Sequence, residues 1–209
     1  MAAPAYRIVR ALVAPGGRRW LRLEVSGAQH VPAQGPVLLA ANHRSVLDHL
    51  LLALASPRPL RFLGKLELAS GPAGWWNRLT GMIPIERGAG DLDALRRVVS
   101  HLSAGEAFGI FPEGTRAPTA HVYRFRSGLA RLAAWSGAPV VPVGIVGSAD
   151  GLASPFARPA PHALRVGFGT PLPAPQADPR SRRSFTAEVR RQVAELCGEA
   201  LHQPADSDP

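Results

Sequence analysis

The chain has 209 residues, a formal net charge of +9 and one cysteine, Cys197. This length is typical of one domain with a sizeable core. The composition, with 46% hydrophobic and 19% charged residues, excludes a chain that is disordered throughout. A single cysteine excludes an internal disulfide, and the sequence has no apolar run of about 18 residues that could span a membrane. The positive charge favours anionic partners, but the arginines accompany no nucleic-acid-binding motif, so we expect no nucleic acid.

Residues 1–26 form a basic amphipathic segment. Apolar residues between Tyr6 and Val13 alternate with Arg7 and Arg10, and more arginines follow up to Arg22. The segment lacks the long apolar core and cleavage pattern of a signal peptide. Two interpretations stay open: the segment lies in a membrane interface, or it packs as a helix on the core.

The first motif lies between a predicted strand and a predicted helix. The apolar run Pro36–Ala41 predicts a buried strand, and leucines at helical spacing predict a helix over Val46–Ala55. His43 and Asp48 therefore lie at the carboxyl end of a strand, where open α/β sheets bind ligands. An imidazole held by a carboxylate is suited to be a general base. Alternatively, Ser45-x-x-Asp48 fits a capping box that only satisfies the helix N-terminus.

Two further predicted strands end beside arginines. Gly81–Ile85 is followed by Arg87, and Ala107–Phe111 is followed by a turn that carries Glu113 and Arg116. The planar guanidinium can donate two parallel hydrogen bonds to a phosphate. Each arginine taken alone is better explained as a solvated surface charge. Both together, with the His/Asp pair at another strand end, favour an anionic substrate.

Strand and helix patterns alternate along the rest of the chain. This alternation predicts a single α/β domain over 27–202, with a mixed, mostly parallel β-sheet flanked by helices. Cys197 lies on the apolar stripe of the last helix, which favours a core residue over a reactive thiol. We expect residues 203–209 to be a disordered tail. The other predicted elements are helices over Leu92–Leu102, Leu129–Trp135 (closed by Gly137) and Phe185–Leu201, strands over Val140–Val146 and Ala163–Phe168, and loops over Gly151–Pro161 and Thr170–Pro179.

Four blocks in order carry a resemblance to the glycerolipid acyltransferase family. The chain from about Gly27 to Thr170 resembles that family, and Arg126 stands where the family usually has a lysine in a Phe-Lys-x-Gly stretch. The four blocks are Asn42–Asp48, Ile83–Ile85 with Arg87, Phe111–Arg116, and Val140–Gly144.

The resemblance implies transfer of a fatty acyl group from acyl-CoA to the free hydroxyl of lysophosphatidic acid, giving phosphatidic acid in phospholipid biosynthesis. His43 would deprotonate that hydroxyl, and Asp48 would orient the imidazole and stabilise the imidazolium, without an acyl-enzyme. Acyl-CoA would be a co-substrate, and we expect no cofactor and no metal. The residues implied in holding the glycerol phosphate are Glu113, Gly114, Thr115 and Arg116, with Arg87 as a second ligand.

Other features of the reaction are less constrained. The strand that carries Val141, Pro142 and Gly144 is a candidate for contacting the acyl donor or the oxyanion. The donor could be acyl-CoA or an acyl carrier protein, and we expect a peripheral protein on the cytoplasmic side of an anionic membrane surface. The alternatives are acylation of another lysolipid (a lyso-ornithine lipid or a lysophospholipid), a CoA-independent transacylase, and a catalytically silent protein that binds anionic lipids.

Overall fold

A seven-stranded sheet forms the centre of the molecule. The computed structural model describes residues 4–65, 81–85, 91–151 and 164–201. The strand order is β1-β8-β7-β2-β5-β3-β4, and among these described strands the β7–β8 pair is antiparallel while the others are parallel. The prediction of a mixed, mostly parallel sheet is confirmed. The strands are β1 (Glu24–Ser26), β2 (Val37–Ala41), β3 (Leu60–Lys65), β4 (Met82–Ile85), β5 (Ala107–Ile110), β6 (His121–Val122), β7 (Val140–Val146), β8 (Arg165–Phe168) and β9 (Ala200–Leu201), with β6 and β9 forming a separate parallel pair.

Helices cover both faces of the sheet. Along the central strand β2 every residue is buried, and successive side chains point to opposite faces: Leu39 joins one core cluster and Leu38 the other. The first cluster includes Leu51 of α2, and the second includes Leu129 of α4 and Val189 of α6. The helices are α1 (Pro4–Trp20), α2 (Asp48–Ala55), α3 (Asp91–Ser103), α4 (Gly128–Ser136), α5 (Ser148–Gly151) and α6 (Pro179–Cys197).

Local sequence sets where α4 and α6 begin and end. Asp178 caps α6 because its carboxylate accepts the backbone N–H groups of the second and third helical residues, and Pro179 occupies the first position. Gly137 and Gly198 end α4 and α6 with φ of 66° and 67°, a left-handed conformation that glycine adopts without strain. The predicted closure of α4 by Gly137 is confirmed.

The structure corrects three details of the predicted elements. Helix α2 begins at Asp48 rather than at Val46. Leu201 belongs to β9 and not to the last helix, because Gly198 ends α6 first. Trp135 is one of the apolar residues whose spacing predicts α4, but this residue is 47% exposed and does not join the core. Arg87 and the tail 203–209 lie outside the described residues, as does nearly all of the predicted loop Gly151–Pro161.

The N-terminal helix packs on α2. Arg18 donates hydrogen bonds to the carbonyl oxygens of Leu54 (2.6 Å) and Ala55 (2.8 Å), which satisfies carbonyl groups at the end of α2. Leu12 and Trp20 are exposed, and the side chains of residues 4–10 lie outside the description. Within the described part of the chain, none of the helices combines the length and hydropathy of a membrane span. Contact of residues 1–26 with a membrane stays a prediction.

Candidate active site

His43 and Asp48 lie together at the carboxyl end of β2. The Nδ1 atom of His43 is 2.8 Å from Oδ2 of Asp48. The side chain of Asp48 is fully buried, and that of His43 is 14% exposed. Because Nδ1 is held by the carboxylate, Nε2 is the ring nitrogen left for proton exchange with a bound molecule.

Asp48 also fixes the loop that precedes α2. Its Oδ2 atom accepts the backbone N–H groups of Arg44 (2.7 Å) and Ser45 (2.8 Å). Three donors therefore converge on one oxygen atom at the first turn of α2. The carboxylate that orients His43 is thus itself fixed by the backbone of the loop. The alternative of a capping box at Ser45 is wrong, because the N-cap position is Leu47 and no described side chain caps the helix.

Aromatic rings enclose His43 on two sides. The ring of Phe111 stacks on it with centroids 4.4 Å apart, and the ring of His49 meets it edge-on at 5.3 Å. Burial lowers the pKa of His49 from 6.5 to about 4, and the nearby charge of His43 acts in the same direction, so His49 is neutral near pH 7. No local sequence pattern indicates a role for His49 or for the ring of Phe111 in this site. Phe111 reaches His43 because β2 pairs with β5. This pairing joins segments about 70 residues apart, so local sequence patterns do not indicate the contact.

The turn after β5 is attached to the loop that carries His43. The backbone N–H of Ala117 donates a 2.7 Å hydrogen bond to the carbonyl oxygen of His43. Glu113 in this turn is 4% exposed, and neither carboxyl oxygen completes a hydrogen bond with the described residues. Burial raises the pKa of Glu113 from 4.5 to about 8, although the backbone N–H groups of Tyr123 and His43 oppose the shift. Glu113 is therefore largely protonated at pH 7.

The remaining residues of the turn face solvent. Gly114, Thr115 and Arg116 are exposed. Arg126 braces the turn from below: its backbone N–H donates to the carbonyl oxygen of Pro112 (2.8 Å), and its Nε donates to that of Glu113 (3.3 Å). The structure brings the turn to the carboxyl ends of the strands, where His43 lies, as the sequence predicts. The roles of these residues and of Arg87 in substrate binding stay predictions.

The predicted donor strand is β7. Val141, Pro142 and Gly144 are buried between β2 and β8, and Pro142 has no N–H to donate. A Cβ at Gly144 would lie 2.7 Å from the Cβ of Leu196, so glycine allows α6 to approach the sheet. Burial raises the pKa of Cys197 to about 12, which agrees with its assignment to the core. Contact of β7 with the oxyanion or the acyl donor stays a prediction.

Asn42 and Arg44 form contacts that the sequence analysis did not find. The Asn42 side chain donates to the carbonyl oxygen of Ile145 (2.9 Å) and accepts its backbone N–H (2.8 Å), which extends the β2–β7 pairing beyond the end of β2. Arg44 forms an ion pair with Glu199. Both partners lie more than a hundred residues along the chain, and no local pattern indicates them.

Comparisons with known proteins identify the family of the chain. The sequence model of the Acyltransferase family matches residues 22–146. The chain is similar to the chloroplastic 1-acyl-sn-glycerol-3-phosphate acyltransferase BAT2 of Brassica napus (30% identity, 61% of this chain, 38% of the relative). It is also similar to 1-acyl-sn-glycerol-3-phosphate acyltransferase alpha of Homo sapiens (34% identity, 59% of this chain, 45% of the relative). The chain thus spans less than half the length of these two relatives.

A solved structure shares the fold over nearly the whole chain. The crystal structure of the 1-acyl-sn-glycerophosphate (LPA) acyltransferase PlsC from Thermotoga maritima is 27% identical, with a TM-score of 0.74. The similarity covers 91% of this chain and 80% of that one. The span matched by the family model, more than half of the 209 residues, contains His43, Asp48 and the whole turn after β5. The chain belongs to the acyltransferase family.

Proposed function

We propose that the chain transfers a fatty acyl group from acyl-CoA to the free hydroxyl of 1-acyl-sn-glycerol-3-phosphate, which produces phosphatidic acid. The observation that carries this proposal is the 2.8 Å contact between His43 Nδ1 and Asp48 Oδ2, beside the Phe111–Arg116 turn. The relatives named for this reaction support the choice of acceptor. The reaction takes place at the cytoplasmic surface of a membrane, to which the chain attaches peripherally.

The proposed mechanism is direct transfer. His43 Nε2 takes the proton of the acceptor hydroxyl while the hydroxyl oxygen attacks the thioester carbonyl carbon. The tetrahedral intermediate then collapses by breaking the carbon–sulfur bond, and the imidazolium returns the proton to the leaving CoA sulfur. Asp48 stabilises the imidazolium between these two steps. Because the acceptor supplies the nucleophile and the thioester is already activated, the reaction needs no acyl-enzyme and no resident cofactor.

The turn after β5 supplies the acceptor site in this proposal. Thr115 and Arg116 are exposed on it, and the Ala117–His43 hydrogen bond ties the turn to the loop of the base. A phosphate bound by these side chains would be held beside the imidazole, with Arg87 as a second ligand. This arrangement would convert the encounter of hydroxyl and base into an oriented, effectively unimolecular step.

The test is release of thiol from a long-chain acyl-CoA, with and without lysophosphatidic acid. For His43→Ala and Asp48→Asn we expect acceptor-dependent release to fall by about 10²- to 10⁴-fold, the usual contribution of a general base. The matched control is His101→Gln. This histidine pairs with Glu106, which precedes β5. It therefore lies at the amino ends of the strands, opposite the carboxyl ends where His43 lies. Folding of each variant is checked by circular dichroism.

Two results would contradict the proposal. If folded His43→Ala releases thiol as fast as the parent protein, His43 is not the general base. Release from the parent protein that depends on a lyso-ornithine lipid or another lysophospholipid, and not on lysophosphatidic acid, would change the acceptor. Repeating the assay with an acyl carrier protein thioester tests the donor in the same way.

A further inference from the structure

A groove lined by arginines lies between α4 and the N-terminal half of α6. Its volume is about 460 Å³, and its floor is apolar, with Phe125 and Ala130 among the lining residues. None of its lining residues belongs to the four blocks or takes part in the proposed mechanism. We call this cavity the arginine groove. The arginines that line it are Arg124, Arg131, Arg182, Arg183 and Arg190.

Three arginines of the groove keep a positive charge that no described carboxylate pairs with. Arg124, Arg182 and Arg183 form no ion pair with any described residue, and Arg131 lies over the ring of Trp135 at 5.8 Å. The acidic residues of α6 pair with a different arginine: Glu188 and Glu195 both contact Arg191. Guanidinium groups that converge on a concave surface repel one another unless an anion lies between them.

The groove begins next to the proposed active site. Arg190 donates two hydrogen bonds, of 3.2 Å and 2.7 Å, to the carbonyl oxygen of Val122, and Glu113 lies close enough to influence the pKa of Arg190. Arg124 is two residues from Arg126, which braces the turn that carries Glu113. A ligand in the groove would therefore extend from the turn after β5 towards the start of α6.

The chemistry of the groove selects a class of ligand. Planar guanidinium groups bind phosphates through paired hydrogen bonds and stack on flat rings, and the apolar floor suits a base. The volume falls within the range of pockets for small molecules and cofactors, about 300–1,000 Å³. These properties together fit a nucleotide with several phosphates.

We propose that the arginine groove binds the 3′-phosphorylated adenosine diphosphate part of the acyl-CoA donor. This inference rests on the proposed function, because it assigns the nucleotide of the donor used there to a second, separate site. Binding in the groove would leave the thioester arm of the donor to reach His43. The phosphates of an anionic lipid headgroup share the same chemistry, so the experiment includes both sources.

The first arm measures binding without turnover. Adenosine 3′,5′-bisphosphate is titrated into the full chain by calorimetry, and we expect Arg182→Glu/Arg183→Glu to weaken binding at least tenfold. A glutamate near the start of α6 suits the helix dipole, so this variant should fold. The matched control is Arg96→Glu/Arg97→Glu, an adjacent exposed pair on α3, for which we expect unchanged affinity. If the circular dichroism of Arg182→Glu/Arg183→Glu differs from that of the parent, the milder variant Arg182→Ala/Arg183→Ala is used instead.

The second arm measures selectivity in turnover. The ratio of kcat/KM for palmitoyl-CoA to that for S-palmitoyl-N-acetylcysteamine, which lacks the nucleotide, should fall at least tenfold in the Arg182/Arg183 variant. The Arg96/Arg97 variant should keep the ratio of the parent. A merely structural defect would lower the turnover of both thioesters together and leave their ratio unchanged.

The outcomes separate this inference from the proposed function. Nucleotide binding that depends on Arg182 and Arg183 in a chain without acyl transfer would support the groove and contradict the function. Acyl transfer from acyl-CoA without measurable nucleotide binding would overturn the assignment of the groove as a nucleotide site. So would nucleotide binding that the Arg182/Arg183 variant leaves unchanged. A third arm sediments the variants with phosphatidylglycerol vesicles. Loss of vesicle binding alone, with nucleotide affinity intact, would assign the groove to lipid headgroups and overturn the inference.

Discussion

The guanidinium of Arg44 donates a 3.1 Å hydrogen bond to Oε1 of Glu199, 155 residues further along the chain. The two side chains are 17% and 11% exposed. The backbone N–H of Arg44 also donates to Asp48, so this ion pair is attached to the residue that orients His43. Glu199 directly precedes β9, which pairs with β6. The segment after α6, beyond the span matched by the family model, therefore supports the loop of the proposed base.

We expect Glu199→Gln and Arg44→Met each to lower the free energy of unfolding by about 2 kcal/mol, because each leaves a largely buried charge without its partner. The double variant should lose less than the sum of the single losses. Acceptor-dependent kcat should fall about tenfold through displacement of His43, less than the roughly hundredfold cost of a 1 Å misplacement.

The measurements are urea unfolding and steady-state kinetics, with Glu195→Gln as the control. That carboxylate lies on α6 and is 61% exposed. Additive losses of stability in the double variant would show that the pair does not couple the two segments.

Glu113 makes stability depend on pH. Its pKa in the folded protein is about 8, above its ordinary value of 4.5, so the folded state keeps a proton that the unfolded chain releases. The stability linked to Glu113 is therefore complete below pH 4.5 and is lost as the pH rises towards 8, at about 1.4 kcal/mol per unit within this window. Glu113→Gln removes this titration, so the variant should gain stability relative to the parent as the pH rises from 5 to 8.

Urea unfolding of parent and variant at several pH values checks this expectation. The difference between the two proteins is the informative quantity, because His49, with a pKa of about 4 in the folded state, makes stability rise between pH 4 and 6.5 in both. Glu24→Gln, at an exposed carboxylate on β1, serves as the control. A pH-independent difference between parent and Glu113→Gln would contradict the raised pKa.

Gly114 is required for two separable reasons. Its φ is +75°, and a Cβ there would lie 2.5 Å from Nε of Arg126. Gly137 has a similar φ of +66° but open space around a Cβ, so Gly137→Ala reports the backbone strain alone. We expect Gly137→Ala to cost about 1 kcal/mol. Gly114→Ala should cost more and also lower acceptor affinity, because Arg126 must move and the turn with it.

Urea unfolding and the KM for lysophosphatidic acid measure the two effects. Equal losses of stability in both variants, with an unchanged KM for Gly114→Ala, would show that Arg126 does not hold the turn. The double variant Gly114→Ala/Arg126→Ala tests the contact directly, because removing the longer side chain should relieve the clash and leave only the strain.

The short-range features of the chain were predictable from the sequence. The alternation of apolar runs with helical spacing indicated the strands and helices, and the spacing of His43 and Asp48 placed the pair at one strand-to-helix junction. The end of α4 followed from Gly137. Each of these features depends on residues within a few positions of one another, where local backbone geometry decides the result.

Tertiary structure decided what surrounds the pair. The sequence showed that Glu113 follows a strand, but its burial and raised pKa arise from the packing of distant segments. The contacts of Asn42 with Ile145 and of Arg44 with Glu199 exist because β2 lies between β5 and β7 and because the chain returns after α6. The arginine groove likewise needs α4 and α6 side by side. The fold class and the chemical groups at the strand ends follow from local sequence patterns. The solvation and the charge environment of those groups do not, because both depend on neighbours far along the chain.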